Sequence, residues 1–573
     1  MLEQKNLIIA VALSLVIIVG FEFLAPKPPK PVETAAQSQT LTPQPSTTPS
    51  VAAPGMPSSV NGLLKDRPAL LADSKRVTIS TPSLSGSLSL TGSRIDDLVL
   101  TGYRETAAAD SAKIVLLNPK NAADSYYAEF GWVPSAAGVA TPGADTTWTA
   151  DRDTLTDTAP VTLTWDNGQG LVFKRVISVD RDFLFTITDT VENKTAAEVS
   201  LFPYGLVARG YTPHTADFYI LHEGPIGVFD GTLKEIKYKA LKDEKKVEHA
   251  STGGWVGITD KYWLTAIDLD NATESKARFL YTGGNGDRYQ VDYLGAARQI
   301  AAGASITTKT DFFAGAKQVN LLDRYAEEKH IDRFDLAIDF GWFYFLTKPF
   351  FYALQALHGW LGNFGLAIIA FTVALRLVLY PLANKSYIAM NKMKLLQPKV
   401  KELQERFKDD RQRLNQEMMA IYKAEGANPL AGCLPILLQI PIFFALYKVL
   451  FISIEMRHTP FYLWITDLSA PDPTSLFNLF GLIPWTPPSF LHIGVLPLIM
   501  GITMYLQQKM NPAPADPIQA RMMNLLPIVF TVMLAGFPAG LVLYWTCNNT
   551  LSILQQWHIA RRYNKLTSAK AKA

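Results

Sequence analysis

Apolar and polar positions change rhythm once along this chain, and the change divides it. Between Arg76 and Lys317 the period is two: Leu84, Leu88 and Leu90 alternate with Ser and Gly, and Val161, Leu163 and Trp165 with Thr. Phe183, Phe185 and Ile187 continue the pattern. Alternation of this kind places apolar side chains on one face of a strand. Asp166, Asn167 and Gly168 supply turn residues before another β-rich run, Leu171 to Val179. Many short strands with Gly, Asn and Asp turns predict a large antiparallel β-sandwich over 61–330. Gly283-Gly284-Asn285-Gly286 reads as one of its turns, because no Lys and helix follow to make a phosphate loop.

After Phe340 the apolar residues gather into runs of bilayer length. Leu361–Leu382 holds about twenty mostly apolar residues, enough for a helix to cross. Leu430–Phe451, Phe490–Gln507 and Met522–Gln556 follow, the last broken at Gly536-Phe537-Pro538-Ala539-Gly540. Between the first two lies Ala383–Asn428, a charged block. Met393, Leu396, Val400, Leu403 and Phe407 recur there at spacings of three and four, and the pattern resumes at Leu414, Met418 and Ile421. Those spacings predict an antiparallel helical hairpin over 383–428, locally perturbed at Pro398. Ahead of the runs, Phe334, Ile338, Trp342 and Phe345 fall at helical spacing within Asp332–Leu346. This predicts an amphipathic helix within 331–358, its aromatic face at a membrane interface.

The N-terminal run Leu7–Leu24 is longer than a usual signal-peptide core and has no small-residue cleavage site after it, so 1–25 is expected to be an uncleaved anchor. Residues 26–60, rich in Pro, Ser and Thr, cannot bury enough surface to fold and are expected to be a tether.

Charge sets the orientation. The net value of +3 says little, but ten Lys and Arg lie in Ala383–Asn428 against Arg457 alone in the loop Ile452–Pro488. Basic loops face the cytosol, so the hairpin is cytosolic and the Trp-rich loop and β-domain are outside. Splitting Met522–Gln556 at its Gly-Pro break returns the basic tail, 561–573, to the cytosol and gives six spans. The first half, Met522–Gly536, reaches only about 22 Å, short of a ~30 Å hydrocarbon core.

Enzymatic chemistry has little to stand on. There is no nucleotide-binding glycine loop, HExxH or GxSxG, and the eight histidines are scattered. Both cysteines, Cys433 and Cys547, sit in apolar runs, where a disulfide framework or a Cys-rich metal site is not available. No cofactor, metal or nucleic acid is expected. The spans do carry polar groups: Thr372, Arg376, Gln439, Thr503, Thr531, Tyr544, Thr546, Asn548 and Asn549. Interhelical hydrogen bonding is one reading of them. The other is a hydrated cavity opening to the cytosol, which would explain the one charge, Arg376, in its span. Met390, Met393, Met418 and Met419 of the hairpin suit a surface that accepts varied apolar partners, and hairpin packing explains some of them equally well.

Three stretches carry a resemblance: FTVALRLVLYPL with Arg376, YKAEGANPLAGCLPILLQIPIFFALY, and FPAGLVLYWTCNN. Together with the overall plan they resemble the YidC family of membrane protein insertases, in its Gram-negative form. The resemblance implies a polytopic helical inner-membrane protein with a five-span core, 359–560, and a periplasmic β-sandwich of the supersandwich type related to sugar-mutarotase folds. Sugar chemistry is not implied. It further implies a hydrophilic groove in which Arg376 matches the family's arginine, Thr372 a lining threonine, and Tyr544 and Trp545 an aromatic pair that contacts substrate; Trp545 stands where a Tyr is expected. Partners implied are nascent membrane proteins, the Sec translocon with its accessory subunits, ribosome and targeting components, and the bilayer. Two other classes fit parts of the sequence: a channel or secondary transporter for a small anion bound at Arg376, and a scaffold whose spans only anchor the β-domain.

Overall fold

The computed structural model describes residues 65–215, 221–284, 286–407, 410–425, 434–483, 485, 488, 492–512 and 517–572. The expected anchor and tether, and Cys433, lie outside the described residues.

The period-two region forms two facing sheets, one of eleven strands and one of nine among the described residues. At the centre of the smaller sheet Leu184–Asn193 pairs antiparallel with Leu171–Val179 and Ser305–Ala316, so that Ile187 lies opposite Ile177 and Thr310. In the larger sheet Val199–Arg209 pairs antiparallel with Tyr126–Pro134 and Arg288–Leu294. One pairing departs from the antiparallel rule: Arg76–Ser80 runs parallel to Thr154–Leu155. Aromatic side chains from both sheets meet between them, as where Phe130 and Phe312 pack edge to face with centroids 5.6 Å apart. The turn expected at Asp166–Gly168 forms by side-chain acceptance. Gly168 donates its N–H to Asp166 Oδ1 at 2.8 Å and Leu171 donates to Asn167 Oδ1 at 3.0 Å.

Helices follow the sandwich. We label them α1 (Val319–Glu328), α2 (Tyr344–Leu361), α3 (Phe364–Val378), α4 (Tyr380–Arg406), α5 (Arg411–Ala424), α6 (Leu434–Ile452), α7 (Val495–Met510), α8 (Pro517–Leu534) and α9 (Ala539–Lys572). No single helix among the described residues is long and apolar enough to cross a membrane; α3 and α4 together pass that test as a pair bent by 68°. Shorter apolar helices run over Gln439–Ile452 and Ala520–Leu534.

Two expectations are corrected. Asp332–Leu346 is not a helix: it contains a 3₁₀ turn at Phe334–Ala337, and α2 begins only at Tyr344. The sandwich takes Phe334 into its own core, edge to face with Trp255 and Phe313, each at 5.5 Å. Ile338 and Phe340 are buried as well, while Trp342 is 94% exposed. Secondly, the run Leu361–Leu382 breaks at Leu379. Pro381 has no N–H to give and its ring crowds the carbonyl four residues back, so the axis turns and the chain continues as the first hairpin helix. Helix α9 continues into the basic segment 561–573 as far as Lys572. The expected break near Gly536–Gly540 is present, between Leu534 and Ala539. In the hairpin Leu396 and Val400 are buried on the predicted seam, and α4 runs on through Pro398.

The sandwich is joined to the helices by charged and aromatic contacts. Lys448 of α6 pairs with Asp339 at 2.8 Å, and Lys261 Nζ lies 3.7 Å over the ring of Phe451. Arg457, just beyond α6, stacks on Tyr262 and Trp263 at 5.6 and 5.5 Å and donates to the Glu105 carbonyl.

Candidate functional site

Helix α9 is the post around which the polar residues of the apolar helices gather. Its sequence from Ala539 is apolar for a turn and a half before Tyr544, then offers Thr546, Asn548, Asn549 and Ser552. Residues four apart share a face, so Tyr544 and Asn548 stand one above the other. The Tyr544 hydroxyl accepts a hydrogen bond from Gln439 Nε2 of α6. One turn on, Asn548 Oδ1 accepts from Arg376 Nε at 2.8 Å and from Arg376 Nη2 at 2.6 Å; its main-chain carbonyl accepts from the same Nη2 at 3.3 Å. On the adjoining face Asn549 Nδ2 donates to Thr503 Oγ1 of α7 at 3.4 Å. Near the far end Gln556 Nε2 donates to Asn511 Oδ1 at 3.4 Å. Helices α3, α6 and α7 are thus tied to α9 through side-chain amides, hydroxyls or a guanidinium.

Arg376 itself is half-buried, and Leu377 and Val378 beside it are exposed. None of α3, α6, α7, α8 or α9 contains an Asp or Glu. The guanidinium is therefore held by a neutral amide oxygen and a carbonyl, with no acid on any of those five helices. A charge in an apolar setting is costly and marks a functional position.

The remaining sequence-derived residues divide. Thr372 is fully buried, with its hydroxyl donated to the Ile368 carbonyl at 2.6 Å, rather than lining an open space. Thr503 and Gln439 are partly exposed and paired as described. Trp545 packs edge to face on Phe443 at 4.7 Å and tilts against Phe530 at 5.5 Å, bridging α6 and α8. Of the hairpin methionines, Met390, Met393 and Met418 are turned partly inward and Met419 is exposed. Asn548 was visible in the sequence among the polar groups of the spans; its pairing with Arg376, 172 positions away, was not. The outward faces of these helices are apolar, with Met522, Ile528 and Met533 of α8 and Ile502 and Leu506 of α7 all exposed. Contiguous exposed apolar surface marks a membrane or partner face.

Comparison with known proteins agrees with this plan. The YidC periplasmic domain model matches residues 76–353, and the model for 60Kd inner membrane protein matches 356–566. A "Membrane protein insertase YidC" of Granulibacter bethesdensis is 51% identical, covering 98% of each chain. Proteins of the same name from Beijerinckia indica and Rhizobium meliloti are 49% and 48% identical, each covering 98% of this chain and 96% of the relative. Among solved structures, an active YidC insertase is 17% identical, with 84% of this chain and 92% of that one covered and a TM-score of 0.36. A galactose mutarotase-like protein from Lactobacillus casei is 12% identical, with 42% and 99% covered and a TM-score of 0.29. By the two family models and by near full-length identity of about half, this chain belongs to the YidC family of membrane protein insertases.

Proposed function

We propose that this protein inserts and helps fold inner-membrane proteins through a polar groove centred on Arg376, in a core of five spans between 359 and 560. The observation that carries the reading is the cation of Arg376 on α3, paired to the amide of Asn548 on α9, neither helix nor α6, α7 or α8 containing an acid. A substrate's hydrophilic segment enters from the cytosol, and its acidic residues are drawn to the guanidinium. Gln439, Thr503 and Tyr544 offer hydrogen bonds to the polar segment, with Thr372 behind Arg376 and Trp545 closing the aromatic side. The substrate's apolar segment then leaves sideways into lipid, driven by transfer out of water. The membrane potential assists acidic segments by about 2.3 kcal/mol per charge per 100 mV.

In this reading the chain has six spans with both termini cytosolic and the sandwich in the periplasm. The hairpin 383–428, with exposed Met419, meets arriving nascent chains, and the Sec translocon, ribosome and targeting components are the partners in larger assemblies. The test is insertion of a small single-span substrate into proteoliposomes containing the purified protein. Arg376→Ala is expected to lower insertion of substrates with acidic translocated segments by about tenfold, a transition-level loss of ~1.4 kcal/mol, and to spare uncharged ones. Undiminished insertion of every acidic substrate removes Arg376 from the mechanism.

A further inference from the structure

We propose that Asn548 is the positioning residue for Arg376: a neutral acceptor that fixes the direction of the guanidinium while leaving its charge available to the substrate. The proposal rests on the groove reading above and deepens it. Arginine has a long flexible side chain, and an unheld guanidinium in an apolar helix turns toward whatever water or headgroup it reaches. Here the Nε and Nη2 edge is fastened. Asn548 Oδ1 receives both nitrogens, at 2.8 and 2.6 Å, and the Asn548 carbonyl receives Nη2 as well. The acceptor is itself held firmly. Asn548 is 7% exposed, and its main chain is fixed in α9, where its carbonyl also accepts the Ser552 hydroxyl at 2.7 Å.

The chemical type of this acceptor is what matters. A carboxylate at position 548 would make the same two-point contact with Arg376 and would cancel the charge at the same time. An apolar residue would leave the charge but release its direction. An amide oxygen is the acceptor that orients without neutralising. A carboxylate arriving on a substrate binds a guanidinium more strongly than an amide oxygen does, so it competes with Asn548 for the cation rather than with another charge.

The test uses the full-length protein in proteoliposomes and a single-span substrate whose translocated tail carries zero, one or two aspartates, with protease protection as the measure of insertion. Asn548→Asp is expected to lower insertion of the two-aspartate tail about tenfold and to leave the uncharged tail within twofold of the parent. Asn548→Leu is expected to lose part of the charged-tail insertion, and Asn548→Ser, which keeps an oxygen acceptor, to recover most of it. In an Arg376→Ala background, Asn548→Leu should have no further effect. Thermal unfolding of each variant in detergent separates misfolding from loss of function, and the Ser variant carries the comparison should the Asp variant fail to fold. Equal loss on charged and uncharged tails, no loss with either Asp or Leu, or an undiminished Leu effect without Arg376 would each overturn the role of Asn548. If Arg376→Ala itself does not discriminate between the tails, the groove reading falls and the proposal with it. If Arg376→Ala discriminates and the Asn548 variants do not, only the proposal falls.

Discussion

Glu455, in the 3₁₀ turn just beyond α6, accepts a hydrogen bond from the main-chain N–H of Val319 at 3.0 Å. Val319 is the first residue of α1, the helix that leaves the last strand of the sandwich, and no side chain caps it from its own N-terminus. The carboxylate from the helical region therefore satisfies an end group of the β-domain, with Val319 buried and Glu455 partly so. Loss of this acceptor leaves a buried N–H unmade, at a cost of roughly 1–3 kcal/mol. Glu455→Ala is expected to raise hydrogen exchange at Val319 and its neighbours in α1 while leaving exchange in the central strands unchanged. Unchanged protection in α1 would show that the joint is held by the Lys448–Asp339 pair and the Arg457 stack instead.

Helices α7 and α8 approach at Gly501. A Cβ placed there would stand 2.1 Å from Thr531 Oγ1, whose hydroxyl already bonds back to the Pro527 carbonyl at 2.7 Å. Small residues permit such approaches between apolar helices. Gly501→Ala is expected to destabilise the helical core by about 1–3 kcal/mol through overpacking, read as a lower midpoint of thermal unfolding in detergent. Thr531→Ala, nearly neutral alone, should restore most of the loss in the double variant. Additive losses would mean that the two positions do not meet.

In the sandwich Asp268 gives a pH dependence. Its Oδ1 is buried without a hydrogen-bond partner among the described residues, and burial, reinforced by the Asp311 carboxylate, pushes its pKa up to about 8. An unfolded aspartate titrates near ~4. Between those values the folded chain holds more protons than the unfolded one, so this group's contribution falls as pH rises from about 4 to about 8, then levels off. Asp268→Asn is expected to match the parent near pH 4 and to exceed it above pH 8 by several kcal/mol in sandwich stability, roughly 5 by linkage. A shift of equal size at both pH values would assign the effect to packing and not to ionisation.

Periodicity of two was enough to read the sandwich, because half-buried strands display it directly. Leu171–Val179 and the turn before it could be placed from residue types alone. Helical spacing was less informative between 332 and 346, since apolar residues three and four apart can also be the anchors of an irregular segment. Phe334 fits a helical stripe in sequence, yet two aromatic rings of the sandwich claim it in space. The bend at Leu379 had its cause in view at Pro381, but the length of the apolar run masked it. Within the site, the groups that could matter were legible as polar residues in apolar helices. Which of them pair was not, because α9 brings Tyr544 and Asn548 against partners 105 and 172 positions distant.

The segment between sandwich and helices supplies a last prediction, in which two neighbouring aromatics behave oppositely. Phe334 is 1% exposed and packed on Trp255 and Phe313, whereas Trp342, two residues ahead of α2, is 94% exposed. Removing the first should leave a cavity in the domain core, at a cost of about 3–5 kcal/mol. Removing the second should change folding stability by no more than about 0.5 kcal/mol, as for an ordinary surface site. Phe334→Ala is therefore expected to lower the melting point of the sandwich markedly, and Trp342→Ala to leave it in place. Spin labels distinguish the environments further: a label at 342 should lose signal to lipid-soluble oxygen, and one at 334 should not. An amphipathic helix lying on the membrane over this stretch would expose both labels to lipid and make both substitutions mild, so the pair of measurements separates the two arrangements.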